Sequence, residues 1–160
     1  IGIVEGPVGN KNLVSKVCWD DELVVVTPPG HPLTENPISG VDALLEYPFI
    51  SREEGSGTRN VIVDYLQSAG RDISDLNLTM EFGSPESIKS AVVAGLGISI
   101  LSIATLNKEL ELGMLSKLSL DPPLTRPFSI VYQRQKFRLR AMDEFLEFTE
   151  AHCGEKQVAK

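Results

Sequence analysis

A short run of apolar residues constrains the fold of this chain most strongly. Residues 23–26 are one leucine followed by three valines, with no polar residue among them. β-Branched side chains favour strands, and a strand with one face in water alternates apolar with polar residues. This run does not alternate. It therefore predicts a strand that is buried on both faces of its sheet.

The rest of the chain alternates between strand and helix patterns. Strands are predicted at residues 1–5, 13–19, 22–27, 47–50, 76–82, 98–101, 114–120 and 128–132. Helices are predicted at residues 41–46, 60–69, 85–94, 103–108 and about 138–151. Alternating strands and helices indicate an α/β domain whose parallel or mixed sheet is covered by helices.

Several elements carry more specific signals. Ser84 and Pro85 form a helix start, with the serine as N-cap and the proline in the first turn, and Gly95 closes that helix. Ser39 is expected to cap the helix at 41–46, and the turn signal at Glu5-Gly6-Pro7 ends the first strand. Two apolar faces are also predicted. In the strand at 76–82 the face comprises Leu76, Leu78, Met80 and Phe82, and in the last helix it comprises Leu139, Met142, Phe145, Leu146 and Thr149.

A Gly-rich stretch, residues 51–59, lies between a predicted strand and a predicted helix. The first turn of a helix has N–H groups without acceptors in the helix, at the positive end of its dipole, and these can receive an anion. Gly55 and Gly57 would let the backbone adopt positive φ and approach a ligand closely. In α/β folds ligands bind beyond the carboxyl ends of strands, which is where this stretch lies.

Polar side chains in the same stretch suit an oxyanion or a carboxylate. Ser56 and Thr58 offer hydroxyl groups, and Arg59 offers a planar fork of donors. Two other interpretations stay open. The hydroxyls are equally suited to capping the helix, and Arg52 and Arg59 are equally suited to pairing with the two glutamates that follow Arg52.

Composition excludes several classes of protein. The 160 residues are 42% hydrophobic and 23% charged, which is typical of a globular domain. The formal net charge is −7, which argues against nucleic-acid binding by this chain itself. No apolar run approaches the ~20 residues that span a bilayer. The chain starts inside a strand-like run without an initiator methionine or a signal peptide, so we expect a piece of a longer chain.

Cysteines and histidines point to no covalent or metal chemistry. Cys18 and Cys153 are far apart in sequence. A disulfide between them is one interpretation, and a reduced cytoplasmic chain is the simpler one. His31 and His152 have no partners at metal-ligand spacing, so we expect neither a metal nor a cofactor.

The order of these motifs resembles the effector-binding domain of LysR-type transcriptional regulators, in a branch regulating sulfur and cysteine metabolism. The resemblance covers about 150 of the 160 residues, and the stretches that carry it are 1–7, 19–26 with 29–33, 51–59, 84–101 and 128–133 with the last helix. The resemblance implies a type 2 periplasmic-binding-protein-like fold with Rossmann-like subdomains and a mixed sheet flanked by helices.

The resemblance also implies a division of the chain. Residues 1–17 would end the first half of subdomain I and form the hinge, and residues 18–126 would form the whole of subdomain II. Residues 127–152 would return to subdomain I, and residues 153–160 would be a tail. The family's helix-turn-helix DNA-binding domain and the first half of subdomain I are not in this sequence.

As the resemblance implies, the domain is a sensor and not an enzyme. A small anionic or amino-acid-derived effector would bind between the subdomains and change the grip of a parent dimer or tetramer on DNA. The effector-binding residues that match by position are Glu5, Ser51, Ser56, Gly57, Thr58 and Arg59. Glu5 would repel an anion unless it pairs, for example with Arg59, or selects an amine; a solvated strand end is the other interpretation.

The helix at 85–94 resembles the family's dimerisation helix. Ile88, Ala91 and Val92 would pack inward, Lys89 and Val93 would lie nearer the partner, and the interface as a whole would comprise Ile88, Lys89, Val92 and Val93. An ordinary surface helix is the alternative.

Two other functions compete with the regulator. An oxyanion-binding protein of an ABC transporter shares the fold and often has a similar Gly-Ser loop. An enzyme would need a positioned nucleophile with a base, yet Ser56 has no histidine near it in sequence and His31 lies in a Pro-rich loop.

Overall fold

A computed structural model describes residues 1–5, 8–35, 40–134 and 139–153, and residue 153 is described by its backbone only. The turn expected at residues 6–7, the cap expected at Ser39 and the tail beyond Cys153 lie outside the described residues. The chain forms two compact units. The smaller unit comprises residues 1–21 with 126–160, and the larger comprises residues 22–125.

Strands and helices alternate along most of the chain. The strands are β1 (Gly2–Glu5), β2 (Leu13–Thr27), β3 (Pro48–Arg52), β4 (Asn77–Phe82), β5 (Ser99–Ser102), β6 (Ser116–Leu118) and β7 (Leu124–Gln133). The helices are α1 (Asp42–Leu45), α2 (Gly57–Ser68), α3 (Pro85–Val93), α4 (Asn107–Glu111) and α5 (Arg140–Cys153), with single 3₁₀ turns at Pro32–Thr34, Ile73–Asp75 and Ile103–Thr105. Among the described residues, every helix is too short or too polar to span a bilayer.

The second half of β2 lies at the centre of the larger unit. Leu23 and Val25 belong to one hydrophobic cluster, and Val24 and Val26 belong to another. All four side chains are fully buried. Successive side chains of a strand point to opposite faces, so the two clusters lie on the two faces of β2. The prediction of a strand buried on both faces is confirmed.

Strand β3 is built in the same way. Phe49 packs in the first cluster with Ile62 and Leu66 of α2, while Ile50 packs in the second cluster. Ile88 of α3 belongs to that second cluster. The two faces of β3 are therefore covered by different helices.

The larger unit contains both kinds of strand pairing. β2 pairs antiparallel with β5 and with β6, whereas β3 and β4 are parallel. The amide of Ile50 donates to the carbonyl of Ile98, and the amide of Ile98 donates to the carbonyl of Pro48, each at 2.8 Å. These two bonds connect β3 to the residues just before β5.

The smaller unit has its own sheet pairing and core. β1 pairs antiparallel with β7, placing Gly2 opposite Val131 and Glu5 opposite Phe128. Ile130 and Tyr132 of β7 pack with Leu146 of α5.

Several boundaries differ from the sequence-based expectation: β7 begins at Leu124, β6 is limited to Ser116–Leu118 and α4 to Asn107–Glu111, and β2 and α2 differ as follows. β2 continues through Asp20 and Asp21, where a break between two strands was expected, because Asp21 is buried and bonded to Arg126. Helix α2 begins at Gly57, three residues before the expected start at Asn60.

The two predicted apolar faces are only partly buried. In β4, Leu78 and Met80 are each more than one-third exposed, because this strand pairs with β3 alone. In α5, Leu146 is buried and Phe145 is exposed, and Leu139, the residue before this helix, is exposed as well.

A buried lysine joins α3 to the segment that follows β5. The Lys89 ammonium lies 2.9 Å from Glu86, 2.9 Å from Glu109 and 3.0 Å from the carbonyl oxygen of Thr105. Burial acts to lower the pKa of Lys89, but its bonds to the two glutamates outweigh burial, and the net effect raises that pKa. The lysine therefore stays charged and fastens α3 to α4.

The close contact at Gly97 predicts a stability effect. A β-carbon added there would lie 2.5 Å from the carbonyl oxygen of Pro48, the acceptor for Ile98. We expect Gly97→Ala to lower the free energy of unfolding by about 1–3 kcal/mol, measured by urea titration, because the strand contact must shift. Gly83→Ala, where an added β-carbon meets nothing within 4 Å, is the matched control. Equal stability of the two variants would contradict the close contact.

The ion pair at Glu109 predicts a pH dependence. Its hydrogen bond with Lys89 holds the pKa of Glu109 below the ordinary 4.5. The folded state therefore binds this proton less readily than the unfolded state, so the contribution to stability is present above pH 4.5 and is lost as pH falls through the lowered pKa. Urea titrations from neutral to acid pH should show a smaller acid loss in Glu109→Gln than in the parent.

The exposed Glu111 of the same helix supplies the control for this titration. Glu111→Gln should keep the acid loss of the parent protein. A parent-like profile in Glu109→Gln would rule out the ion pair as its source.

Candidate functional site

The Gly-rich stretch forms a tight turn between β3 and α2. β3 extends two residues into the stretch and ends at Arg52. The amide of Ser56 then donates to the carbonyl of Glu53 at 3.2 Å, which closes the turn. Gly55 has a φ of +86°, as expected, whereas Gly57 does not adopt positive φ. Gly57 instead occupies the first position of α2.

The first turn of α2 presents its N–H groups at the end of this turn. Ser56 is the N-cap, and the amide of Asn60 is bonded to the Ser56 carbonyl at 3.0 Å as the first helical bond. The amides between these two residues have no acceptor within the helix. They lie at the positive end of the dipole of a 12-residue helix.

Ser56 is buried, yet its hydroxyl bonds to none of the described residues. The residue is 7% exposed. Its side chain does not accept a hydrogen bond from the first turn, although serine at an N-cap commonly does so. The capping interpretation of Ser56 is therefore wrong for its side chain. No described base contacts this hydroxyl either, so it lacks the partner that a catalytic nucleophile needs.

Arg59 lies over the carboxyl end of β3. Its Nη1 donates to the carbonyl of Arg52 at 2.8 Å, to Oγ of Ser51 at 3.4 Å and to the carboxylate of Glu81. Nε and Nη2 donate to none of the described residues. The guanidinium is therefore held through Nη1, and the N–H groups of Nε and Nη2 are available to another acceptor.

Ser51 lies beneath Arg59 and accepts a hydrogen bond from its guanidinium. It is 2% exposed, and its hydroxyl donates to the carbonyl of Arg52 at 3.0 Å. Thr58 is buried in the first turn of α2. Of the expected effector-binding residues in this unit, Ser51, Ser56, Gly57, Thr58 and Arg59, the structure brings all five to the end of β3 and the start of α2.

The charged side chains around the turn form two ion pairs. Arg52 donates to both carboxylate oxygens of Glu53, at 2.7 and 2.9 Å, as the sequence allowed, and this bond lowers the pKa of Glu53. Arg59 pairs with Glu81 of β4 and not with Glu54. Glu54 is exposed and has no ion-pair partner among the described residues. The turn thus has three carboxylates and two guanidinium groups.

Sequence reasoning missed Glu81. This residue lies opposite Ser51 in the parallel pairing of β3 and β4, which places its carboxylate beside the turn. A parallel pairing cannot be derived from local pattern, and 22 residues separate Glu81 from Arg59. The one available signal was that both residues lie at the ends of predicted elements.

Glu5, the sixth expected residue, belongs to the smaller unit. Its carboxylate pairs with Arg126, which also pairs with Asp21 at 2.9 Å. Arg126 lies 5.4 Å from the centre of the Phe128 ring. Glu5 therefore has its cationic partner within the smaller unit. A direct role for Glu5 in effector binding stays a prediction.

The expected interface residues of α3 differ in accessibility. Ile88 and Val92 are fully buried in the second cluster, and Lys89 is bonded to Glu86 and Glu109. Val93 is 36% exposed. Ile88 and Val92 offer no surface of their own, so a partner would contact α3 through its more accessible residues.

The cysteine and histidine considered as candidate reactive groups have structural contacts instead. Cys18 is free, with its thiol 3.8 Å from the Lys16 carbonyl. His31 caps the 3₁₀ turn after β2 by accepting from the Leu33 amide, and burial lowers its pKa. No group of three metal-ligating side chains occurs in the described part of the chain.

The contrast between two N-cap serines gives a test. Oγ of Ser84 accepts from the Ser87 amide at 3.2 Å, whereas Ser56 makes no such bond. We expect Ser84→Ala to lower the free energy of unfolding by about 0.5–2 kcal/mol and Ser56→Ala to cost clearly less. Urea titration of both variants measures this difference. Equal losses would show that Ser56 caps α2 in solution.

Sequence comparison finds transcriptional regulators among the relatives of this chain. It is 39% identical over 149 residues to the uncharacterized HTH-type transcriptional regulator YeiE of Escherichia coli strain K12, covering 92% of this chain and 50% of that protein. It is 38% identical over 148 residues to the RuBisCO operon transcriptional regulator of Acidithiobacillus ferrooxidans, covering 90% and 47%. The chain spans about half the length of these curated relatives.

Structural comparison agrees. The regulatory domain of Synechocystis PCC6803 CcmR, solved in complex with 2-PG, superposes with a TM-score of 0.82 at 32% identity, covering 93% of this chain and 71% of that one. The predicted periplasmic-binding-protein-like α/β fold is confirmed.

The family itself follows from the extent of the match. The sequence model described as LysR substrate binding domain matches residues 1–154. The regulator is favoured over the ABC-transporter alternative, whereas the sulfur and cysteine branch stays a prediction. This chain belongs to the LysR substrate-binding domain family.

Proposed function

We propose that this chain is the effector-sensing domain of a transcriptional regulator and binds a small metabolite at the turn before α2. The metabolite carries a carboxylate or another oxyanion. The observation that carries the proposal is Ser56, a buried N-cap residue whose hydroxyl has no partner among the described residues. This hydroxyl can donate to a ligand oxygen placed beside it without giving up a hydrogen bond to any described residue.

The donors around Ser56 suit the same ligand. The first-turn amides of α2 and the helix dipole favour an anion at this position. Arg59 adds Nε and Nη2, which can hold two oxygens of a carboxylate or phosphate side by side. Ser51 takes part indirectly, because its hydroxyl is bonded to Arg52 and accepts from Arg59.

Relatives support a sensing role. The CcmR regulatory domain was solved with 2-PG, and YeiE is named an HTH-type regulator. DNA binding is assigned to a helix-turn-helix domain outside this chain, consistent with the net charge of −7. The effector shifts that activity by binding more tightly to one state of the regulator than to another.

The remaining parts of the proposal concern assembly and place. The regulator acts in the cytoplasm as a homo-oligomer, and this domain is not an enzyme. In the proposed interface, α3 presents Val93 to a partner, while Ile88 and Val92 anchor the helix from beneath and Lys89 fixes its position.

Ligand-induced stabilisation tests the proposed site. We expect inorganic phosphate, sulfate or a small carboxylic acid to raise the melting temperature, because a ligand that binds only the folded state stabilises it by mass action. Ser56→Ala and Arg59→Ala should each weaken binding about tenfold or more, since a hydrogen bond to a charged group contributes about 1.5–3 kcal/mol. The size of the shift at fixed ligand concentration is the measurement.

Two matched variants control for general damage. Ser84→Ala removes an N-cap hydroxyl that is bonded within its own helix, and Arg71→Ala removes an exposed arginine paired with Asp42. Both should keep the full ligand-induced shift, even if the melting temperature itself falls. A shift that is unchanged in Ser56→Ala and Arg59→Ala would place the ligand elsewhere.

A further inference from the structure

We infer that the metabolite bound at this turn is a zwitterion, with an ammonium group that Glu81 receives and an anionic group held by Ser56 and α2. The inference rests on the proposed function, because it specifies the ligand of the same site. It adds one residue, Glu81, and one chemical class, the amino acids and their close derivatives.

The position of Glu81 places an acceptor beside the donors. Parallel pairing sets Glu81 opposite Ser51, at the carboxyl end of β3. Oε2 of Glu81 accepts from Arg59, whereas Oε1 accepts no hydrogen bond from any of the described residues. The side chain is 49% exposed. A carboxylate oxygen is therefore accessible beside the Arg59 guanidinium, at the strand end from which the turn begins.

The charges around the turn favour a ligand of both signs. Glu53, Glu54 and Glu81 carry three negative charges against the two positive charges of Arg52 and Arg59. A ligand with only negative charge would gain the donors of α2 but would be repelled by these carboxylates. A zwitterion gains the same donors and turns the nearest carboxylate from a repulsive into an attractive partner.

A purely structural role for Glu81 would be to orient Arg59. The Nη1 of Arg59 has two other acceptors, the carbonyl of Arg52 and Oγ of Ser51. In Glu81→Gln the amide oxygen still accepts from Arg59, while the negative charge is lost. This substitution therefore keeps the orientation of Arg59 and removes only the charge of residue 81. The charge is what should favour the ammonium group of an amino acid over the uncharged hydroxyl group of a hydroxy acid.

Calorimetry with matched ligand pairs tests the inference. Each amino acid is compared with the 2-hydroxy acid of the same skeleton, such as L-alanine with L-lactate and L-aspartate with L-malate. We expect at least one amino acid to bind tenfold or more tightly than its hydroxy acid. In Glu81→Gln that ratio should fall towards one, because the amino acid binds more weakly and the hydroxy acid more tightly.

Two further variants make the outcomes distinct. Glu54→Gln removes a charge from the same turn without touching Arg59 and should lower the preference far less than Glu81→Gln does. Ser56→Ala should weaken both members of a pair and keep their ratio. Hydroxy acids or inorganic phosphate that bind as tightly as amino acids, and are lost in Ser56→Ala, would overturn the zwitterion and leave the anion site intact.

The remaining results also decide the matter. An amino-acid preference that is unchanged in Glu81→Gln would overturn the role of Glu81. Binding that neither Ser56→Ala nor Glu81→Gln affects would overturn both this inference and the proposed site. Absence of binding by every amino acid tested would overturn the zwitterion.

Discussion

Burial of both faces of β2 and β3 is the constraint on which the larger unit depends. Each fully buried valine, leucine, isoleucine or phenylalanine contributes about 1.5–3 kcal/mol relative to exposure. Leu23 and Phe49 contribute on one face, and Val24 and Ile50 on the other. A shift of either strand by one residue would exchange the two faces and mismatch both clusters. The register is therefore fixed, and with it the position at which β3 ends and the turn begins.

The turn before α2 differs from the start of α3 in its capping bonds. Ser84 caps its helix with its side chain, as most serines at this position do, and Ser56 does not. Arg59 is held by one nitrogen and keeps the donors of two others. Both side chains therefore keep donors that a ligand oxygen at the start of α2 could accept from. The physical case for a site at the start of α2 rests on these unfilled bonds.

Local pattern predicted the features that local physics decides. The buried run at 23–26, the cap at Ser84 and the position of the turn follow from side-chain shape, capping and glycine conformation. Local pattern could not predict which residues pair across long stretches of sequence. Arg126 pairs with Asp21 across 105 residues, and Arg59 pairs with Glu81 because of a parallel register that no periodicity encodes. The same holds for the accessible side of β4, since its alternation indicates a strand but not how many neighbours that strand has.

The backbone hydrogen bond from Ile50 to Ile98 has a consequence for amide hydrogen exchange. The amide of Ile50 is bonded inside the double-faced core, so its exchange requires opening of the whole larger unit. The first-turn amides of α2 lack helical acceptors and exchange through small local fluctuations. The Ile50 amide thus reports opening of the larger unit, whereas the first-turn amides of α2, a few residues later in sequence, report local fluctuations. A ligand at the turn would slow exchange in the first turn directly, and slower exchange at Ile50 would report the accompanying gain in global stability.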